Sequence, residues 1–276
     1  MSDHIPFFDF GGKGDMLHFA HANGFPPGAY NGLIEELRKQ HRVVGMKARP
    51  LWKDSEPATF KTWNTAADDL IRFLDKQKLS GVIGVGHSFG ANSTIMAANK
   101  RPDLFSKLIL IEPVVLPKWI YMATALSPRW FVDRYHPVIK RTLERVDSWT
   151  SREVAFAQFR TKKVFELMSD QALWDYVNSV TEQTSDGRVI LSYSKLWEAQ
   201  VYSTITDPWN DLRMVKHPFL AFRGETSETI SAEVWNKWRS LDPKGQFLEL
   251  KGAGHLVPVE QPIEVAAAIF DFLKQS

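Results

Sequence analysis

Unbroken apolar runs recur along the chain, and stretches with helical spacing lie between them. Val82-Ile83-Gly84-Val85 and Leu108-Ile109-Leu110-Ile111 show no polar alternation, the pattern of strands covered on both faces. Arg42 to Met46, Phe219 to Arg223 and Gln246 to Leu250 add further strands. Helical patterns fill the intervals at Leu33 to Lys39, at Ala66 to Lys76 with Leu70, Ile71, Phe73 and Leu74 on or near one face, and at Ala91 to Lys100. Ser231 stands where it would cap a helix carrying Val234, Trp235 and Trp238. Pro262 opens a closing helix through Phe272, since proline suits a first turn. Strand alternating with helix predicts an α/β fold with a doubly wound, mostly parallel sheet.

Two stretches depart from that rhythm. Near the start, Pro6 to Phe10 and Met16 to Ala20 are separated by Gly11-Gly12-Lys13-Gly14, which predicts a hairpin with a flexible turn. Across 114–216 the alternation lapses and helical segments dominate, as in Arg152 to Met168 behind a capping box of Thr150 and Glu153. Asp186-Gly187 marks a turn there, and Trp119, Trp130, Trp149, Trp174, Trp197 and Trp209 fall in the stretch. The expected organisation is a core of 1–113 and 217–276, with 114–216 as a helical cap over the carboxyl edge of the sheet. Most of those tryptophans read as packing inside the cap.

Composition narrows the function classes only a little. The 276 residues are 44% hydrophobic and 24% charged, with a net charge of +2, too little to suggest a nucleic-acid partner. The absence of cysteine removes disulfides, thiolate chemistry and cysteine-based zinc sites. Residues 1–10 lack the basic start and long apolar run of a signal peptide, and no stretch approaches the ~18 apolar residues of a transmembrane helix. The expectation is a soluble, cytoplasmic protein acting on a small molecule, with no membrane partner and no metal or cofactor. The sequon Asn92-Ser93-Thr94 lies inside a predicted helix, where a glycan is not expected.

The chemistry gathers at Gly86-His87-Ser88-Phe89-Gly90, between an apolar strand and a helix. G-x-S-x-G in that setting is the pattern of a nucleophile elbow. A reversal this tight strains the serine backbone and crowds its neighbours, so glycine stands on both sides. The plainer reading is a strand-to-helix turn with Ser88 as a helix cap. A dinucleotide fingerprint beginning at Gly84-x-Gly86 fails, because its third glycine would fall at Phe89.

With these features the chain resembles the α/β-hydrolase superfamily, in its serine-nucleophile branch. Gly86 to Gly90 matches the elbow, Asn23-Gly24-Phe25-Pro26 is similar to the HGFP-type oxyanion loop, Arg223-Gly224 through Ser231 corresponds to the loop after the penultimate core strand, and Gly254-His255 to the histidine loop. The resemblance implies Ser88 as nucleophile and His255 as the base that takes its proton. It implies Phe89 N–H and Phe25 N–H as oxyanion donors. It also calls for a carboxylate to orient the imidazole. One register of the loop after the penultimate strand puts that acid at Ser227. A second, R-G-x-x-S-D with glutamate for aspartate, puts it at Glu228, the preferred candidate. Glu112 at a strand end is the alternative acid, and Glu225 a minor one. His21, Asn23, His87 and Trp119 are candidate substrate contacts. Lys47-Ala48-Arg49-Pro50-Leu51-Trp52 departs from the D-x-R-G-H-G of many relatives, so the entrance is expected to differ.

The resemblance implies hydrolysis of a carboxylic ester or related acyl bond through an acyl-enzyme, with an apolar acyl or aryl part suggested by the aromatic-rich cap. Carbon–carbon bond hydrolysis and acyl transfer would use the same residues. A non-catalytic protein holding a small ligand between sheet and cap is the remaining alternative.

Overall fold

The structure, a computed structural model, describes residues 5–128, 131–132 and 136–275. Its strands are β1 (Phe7–Gly11), β2 (Met16–Ala20), β3 (Arg42–Met46), β4 (Val82–His87), β5 (Phe105–Ile111), β6 (Ser148–Trp149), β7 (Thr181–Gln183), β8 (Val189–Leu191), β9 (Phe219–Gly224) and β10 (Gln246–Leu250). The helices are α1 (Asn31–Leu37), α2 (Asn64–Lys76), α3 (Phe89–Lys100), α4 (Lys118–Leu126), α5 (Pro137–Glu144), α6 (Arg152–Arg160), α7 (Asp170–Val180), α8 (Lys195–Ser203), α9 (Trp209–Met214), α10 (Ala232–Leu241), α11 (Val257–Glu260) and α12 (Pro262–Lys274).

Seven strands form one sheet in the order β1-β3-β2-β4-β5-β9-β10. Only the β1–β3 pair is antiparallel. Central β4 is buried along its whole length, which is why its sequence carries no polar alternation. Leu33, Ile34 and Leu37 of α1 and Val265, Ile269 and Phe272 of α12 join the same core as Leu70, Phe73 and Leu74 of α2 and Ile95 of α3. As expected, Ser231 caps α10, its hydroxyl accepting from Val234 N–H at 3.2 Å. No helix among the described residues is long and apolar enough to cross a membrane.

The expected N-terminal hairpin does not form. Strand β3 inserts between the two apolar runs, pairing with β1 on one side and β2 on the other. The glycine-rich link passes under the turn before β3 instead of folding back. Gly12 has φ +95, and a Cβ there would lie 2.0 Å from His41 O. Arg42 N–H then donates to Asp15 O at 3.1 Å, and the Arg42 side chain pairs with Asp9.

Between β5 and β9 the described residues contribute nothing to the large sheet. They carry α4 to α9 and a separate three-stranded antiparallel sheet, β6-β8-β7. Helix α6 is capped by Ser151, not Thr150, through Val154 N–H. It ends at Arg160, short of the expected Met168, because a tighter turn follows at Lys163–Phe165. The Arg160 guanidinium holds that turn by donating to Phe165 O and Met168 O at 3.0 and 2.9 Å. Trp149, Trp197 and Trp209 are buried and Trp174 is partly so, in line with packing. Trp119 is exposed, and Trp130 lies outside the described residues. Asn92 is buried in α3 with its amide bonded both ways to Val114, which leaves no room for a glycan.

Helix α3 begins two residues after β4 ends, and the glycines make that reversal possible. A Cβ on Gly86 would lie 2.6 Å from Ala91 Cα, and one on Gly90 would lie 2.2 Å from Ala20 O. Both obstacles are backbone and cannot swing aside. Gly90→Ala is therefore expected to cost about 1–3 kcal/mol of stability by forcing α3 off the end of β2. Urea unfolding checks this, and an unchanged midpoint would contradict the packing.

Candidate functional site

Two neighbouring strands end in the same unusual way. Ser88 after β4 has φ +54 and Glu112 after β5 has φ +47, left-handed values that side chains rarely adopt. Each continues its strand's ladder by one bond: Ser88 N–H donates to Ile111 O and Glu112 N–H to Phe222 O, both at 2.9 Å. Those bonds and the sheet around them hold a backbone that by itself costs about 1–3 kcal/mol per residue.

The bend lifts both side chains to the carboxyl edge, where His255 lies between them. Ser88 Oγ is 3.0 Å from His255 Nε2, and His255 Nδ1 is 3.0 Å from Glu112 Oε2. An ionised carboxylate only accepts, so Nδ1 carries the hydrogen and the Nε2 lone pair faces the serine hydroxyl. Glu112 is fully buried, and its other bonds come from Gly224 N–H at 2.6 Å and the Ser227 hydroxyl at 2.7 Å.

The carboxylate beside His255 is thus Glu112, and the expectation for Glu228 is corrected. Glu228 is 89% exposed at its side chain and lies 3.5 Å from Lys163 Nζ. The cause is the turn after β9. Gly224 presses against the backbone at Ala253 and Gly254, Thr226 N–H donates to Ala253 O, and Ser227 N–H to Gly224 O. This closed turn points Ser227 inward and Glu228 out. Glu225 accepts from Gly252 N–H at 2.9 Å and so braces the same turn.

Phe89 opens α3, so its N–H has no acceptor within the helix. Its ring is buried against Trp63, at 5.0 Å between centroids. Phe25 N–H makes only a long contact of 3.3 Å to Ala22 O, and its ring meets Tyr176 at 4.7 Å.

The remaining candidate contacts separate. His21 is buried with both nitrogens used: Nδ1–H donates to Ala22 O at 2.8 Å and Nε2 accepts from Ala48 N–H at 2.9 Å. His87 is fully buried too. Its Nε2–H donates to His255 O at 2.9 Å, so Nδ1 accepts from the Tyr30 hydroxyl at 2.8 Å. Tyr30 in turn accepts from Ala22 N–H at 3.1 Å. Neither histidine presents a free nitrogen to a ligand, and both instead join loops at the sheet edge. Trp119, 67% exposed, faces solvent from α4. Asn23 lines a cavity, but its amide is engaged, donating to Glu198 O at 3.1 Å and accepting from Tyr193 at 2.9 Å.

That cavity, about 720 Å³, lies between the Asn23–Phe25 loop and the helices after β5. Arg145, Tyr176, Glu198 and Tyr202 are among its walls. Glu198 and Arg145 were not foreseen in the sequence. A lone acid and a lone base 53 residues apart carry no local signal of a pair.

A family model described as "Alpha/beta hydrolase family" matches residues 19–268. The chain is similar to a protein named "Uncharacterized hydrolase YugF" of Bacillus subtilis, 24% identical over 89% of this chain and 85% of that one. It is also similar to 2-(acetamidomethylene)succinate hydrolase of Mesorhizobium japonicum, 24% identical over 95% and 89%. A crystal structure of E-2-(acetamidomethylene)succinate hydrolase superposes with a TM-score of 0.80 at 23% identity, covering 96% of this chain and 93% of that one. A structure entitled "Marine microorganism esterase" gives 0.72 at 21% identity, over 97% and 98%.

The buried histidines make stability depend on pH. Burial, the main cause, lowers His18 to about 3 and His21 to about 4, and lowers His87 well below the ordinary 6.5. Between pH 6.5 and about 4 the unfolded chain takes up protons at these sites that the folded chain refuses. Their neutral burial is therefore without penalty above pH 6.5, and stability is lost as pH falls through that window. His21 alone contributes a slope of about 1.4 kcal/mol per pH unit. Urea unfolding at pH 7.5 and 5.0 should show the loss, and His21→Gln should show a shallower one. Equal slopes would contradict the buried neutral imidazole.

Proposed function

The chain belongs to the alpha/beta hydrolase family, and on that premise we propose that it cleaves a carboxylic ester or related acyl bond through an acyl-enzyme on Ser88. The observation that carries this reading is the unbroken line from Ser88 Oγ through the His255 imidazole to Glu112, 3.0 Å at each step. A serine hydroxyl is a weak nucleophile near neutral pH, and a neutral imidazole already bonded to it removes its proton during attack. Glu112 fixes the tautomer and stabilises the imidazolium that forms. The tetrahedral oxyanion is received by Phe89 N–H and by Phe25 N–H, which gives up its long contact to Ala22 O. His255 then passes the proton to the leaving group. Water enters by the same base catalysis, and the acid product departs.

We read 114–216 as a cap over this machinery. Support comes from Phe165, whose ring is 6.2 Å from that of Phe25, and from Leu167, which borders Gly254 beside the histidine. The names of the similar proteins, an esterase and a hydrolase of a succinate derivative, support acyl-bond hydrolysis.

Ser88→Ala should abolish labelling by a fluorophosphonate probe and turnover of 4-nitrophenyl esters while leaving the thermal midpoint near that of the parent. Retained labelling would remove Ser88 as nucleophile. Glu112→Gln should lower kcat on the order of 10³–10⁴-fold, since a neutral amide supports the imidazolium poorly. Glu228→Gln should stay within about twofold, as expected of an exposed surface change. Reversal of that order in steady-state kinetics would return the role to Glu228.

A further inference from the structure

The cavity beside Phe25 is not lined as an apolar pocket would be. Arg141, Arg145, Lys162 and Lys163 contribute to its walls, against the carboxylates of Glu144 and Glu198. Arg141 and Lys162 have no carboxylate partner among the described residues. Arg145 is engaged on one edge only. Its Nη1 donates to Glu198 Oε1 at 3.1 Å, while Nη2 approaches Oε2 at 2.5 Å off-axis, without forming a hydrogen bond. Nε–H and Nη2–H, the side edge of the guanidinium, are buried with no acceptor among the described residues. Buried donors left unmade cost free energy, so such an edge is a place for an acceptor that arrives from outside. Nε–H and Nη–H side by side match the two oxygens of a carboxylate.

Glu198 takes up only the terminal edge of Arg145 and leaves the side edge to another acceptor. It sits against Gly24, where a Cβ would lie 2.9 Å from Oε2, and burial pushes its carboxyl up from the ordinary range. Tyr176, beside Phe25, is pushed up by burial as well and so remains a neutral hydroxyl. At the rim, Lys162 and Lys163 are exposed and add a field that draws anions inward.

We propose that the natural substrates carry a carboxylate, held in this cavity by Arg145 while the acyl bond lies at Ser88. The proposal rests on the hydrolase reading above and narrows its substrate class. It also adds a charged end to the apolar acyl or aryl part expected from the sequence: the aromatic walls hold the chain of the substrate, and the cations hold its end.

The test compares mono-4-nitrophenyl adipate with 4-nitrophenyl hexanoate, esters of equal chain length that differ in the terminal carboxylate. The parent protein should favour the adipate in kcat/KM by about tenfold or more. Arg145→Gln combined with Glu198→Gln avoids leaving a buried unpaired charge and should shrink that preference about tenfold, chiefly through KM. Arg141→Gln with Lys162→Gln should shrink it about threefold and weaken its dependence on salt. A second readout needs no turnover: adipate dianion titrated into Ser88→Ala, followed by the fluorescence of Trp149 in the cavity wall. Saturable quenching that the Arg145/Glu198 double variant loses supports the anion site even if neither ester is hydrolysed, the result that would instead overturn the hydrolase reading. Hydrolysis with no preference for the adipate, or a preference untouched by both double variants, overturns the anion site and leaves the hydrolase reading standing.

Discussion

A single buried carboxylate sets the terms for the surrounding structure. Glu112 has no exposed surface, and taking its charge out of water costs several kcal/mol unless donors replace the water. Three groups from two later segments supply them: Gly224 N–H, the Ser227 hydroxyl and His255 Nδ1–H. The turn after β9 and the loop after β10 must therefore close on the end of β5. That closure brings His255 to Ser88. It also puts Glu228 in solvent, since only one face of so tight a turn can reach the acid.

Ser88 and Glu112 share a second constraint, their left-handed backbone. Each is held by one further ladder bond to the neighbouring strand, so the order β4-β5-β9 is what makes both bends tolerable. The buried network Ala22–Tyr30–His87 then runs behind them and ends on the carbonyl of His255 itself. The histidine loop is thus fixed from two directions, by its side chain on Glu112 and by its backbone on His87. A fully bonded interior network of this kind is rigid because every alternative leaves a polar group unpaired.

On the other side of the serine, the Asn23–Phe25 loop is joined to the helices between β5 and β9. Asn23 bridges Tyr193 and the backbone of Glu198, and Gly24, at φ +73, lets the Glu198 carboxylate pack on its α-carbon. The loop carrying Phe25 N–H is thus tied directly to α8. Under the proposals above, a substrate held by Arg145, which grips Glu198, would act on the same loop that is proposed to receive the oxyanion.

By itself, the sequence determined the local elements and their class. Continuous apolar runs read as strands buried on both faces, the spacing in α2 put its apolar residues on or near one face, and G-x-S-x-G between a strand and a helix marked Ser88. Gly254-His255 after the last strand marked the imidazole through its resemblance to the family's histidine loop. Those features depend on residues close together in the chain. What the tertiary structure decided depends on residues far apart. Pairing partners are not encoded within a strand, so β3 could enter between β1 and β2 where a glycine-rich link suggested a hairpin. Glu112 and Glu228 are both glutamates next to a strand end. Which one faces His255 is settled by the closed turn at Gly224–Ser227 packing on Ala253 and Gly254. His87 sits beside the nucleophile in sequence, yet its two ring nitrogens are taken up by the Tyr30 hydroxyl and the His255 carbonyl, partners 57 and 168 positions away in the chain. Arg145 and Glu198 meet only because α5 and α8 pack together, and that contact is a property of the assembled fold.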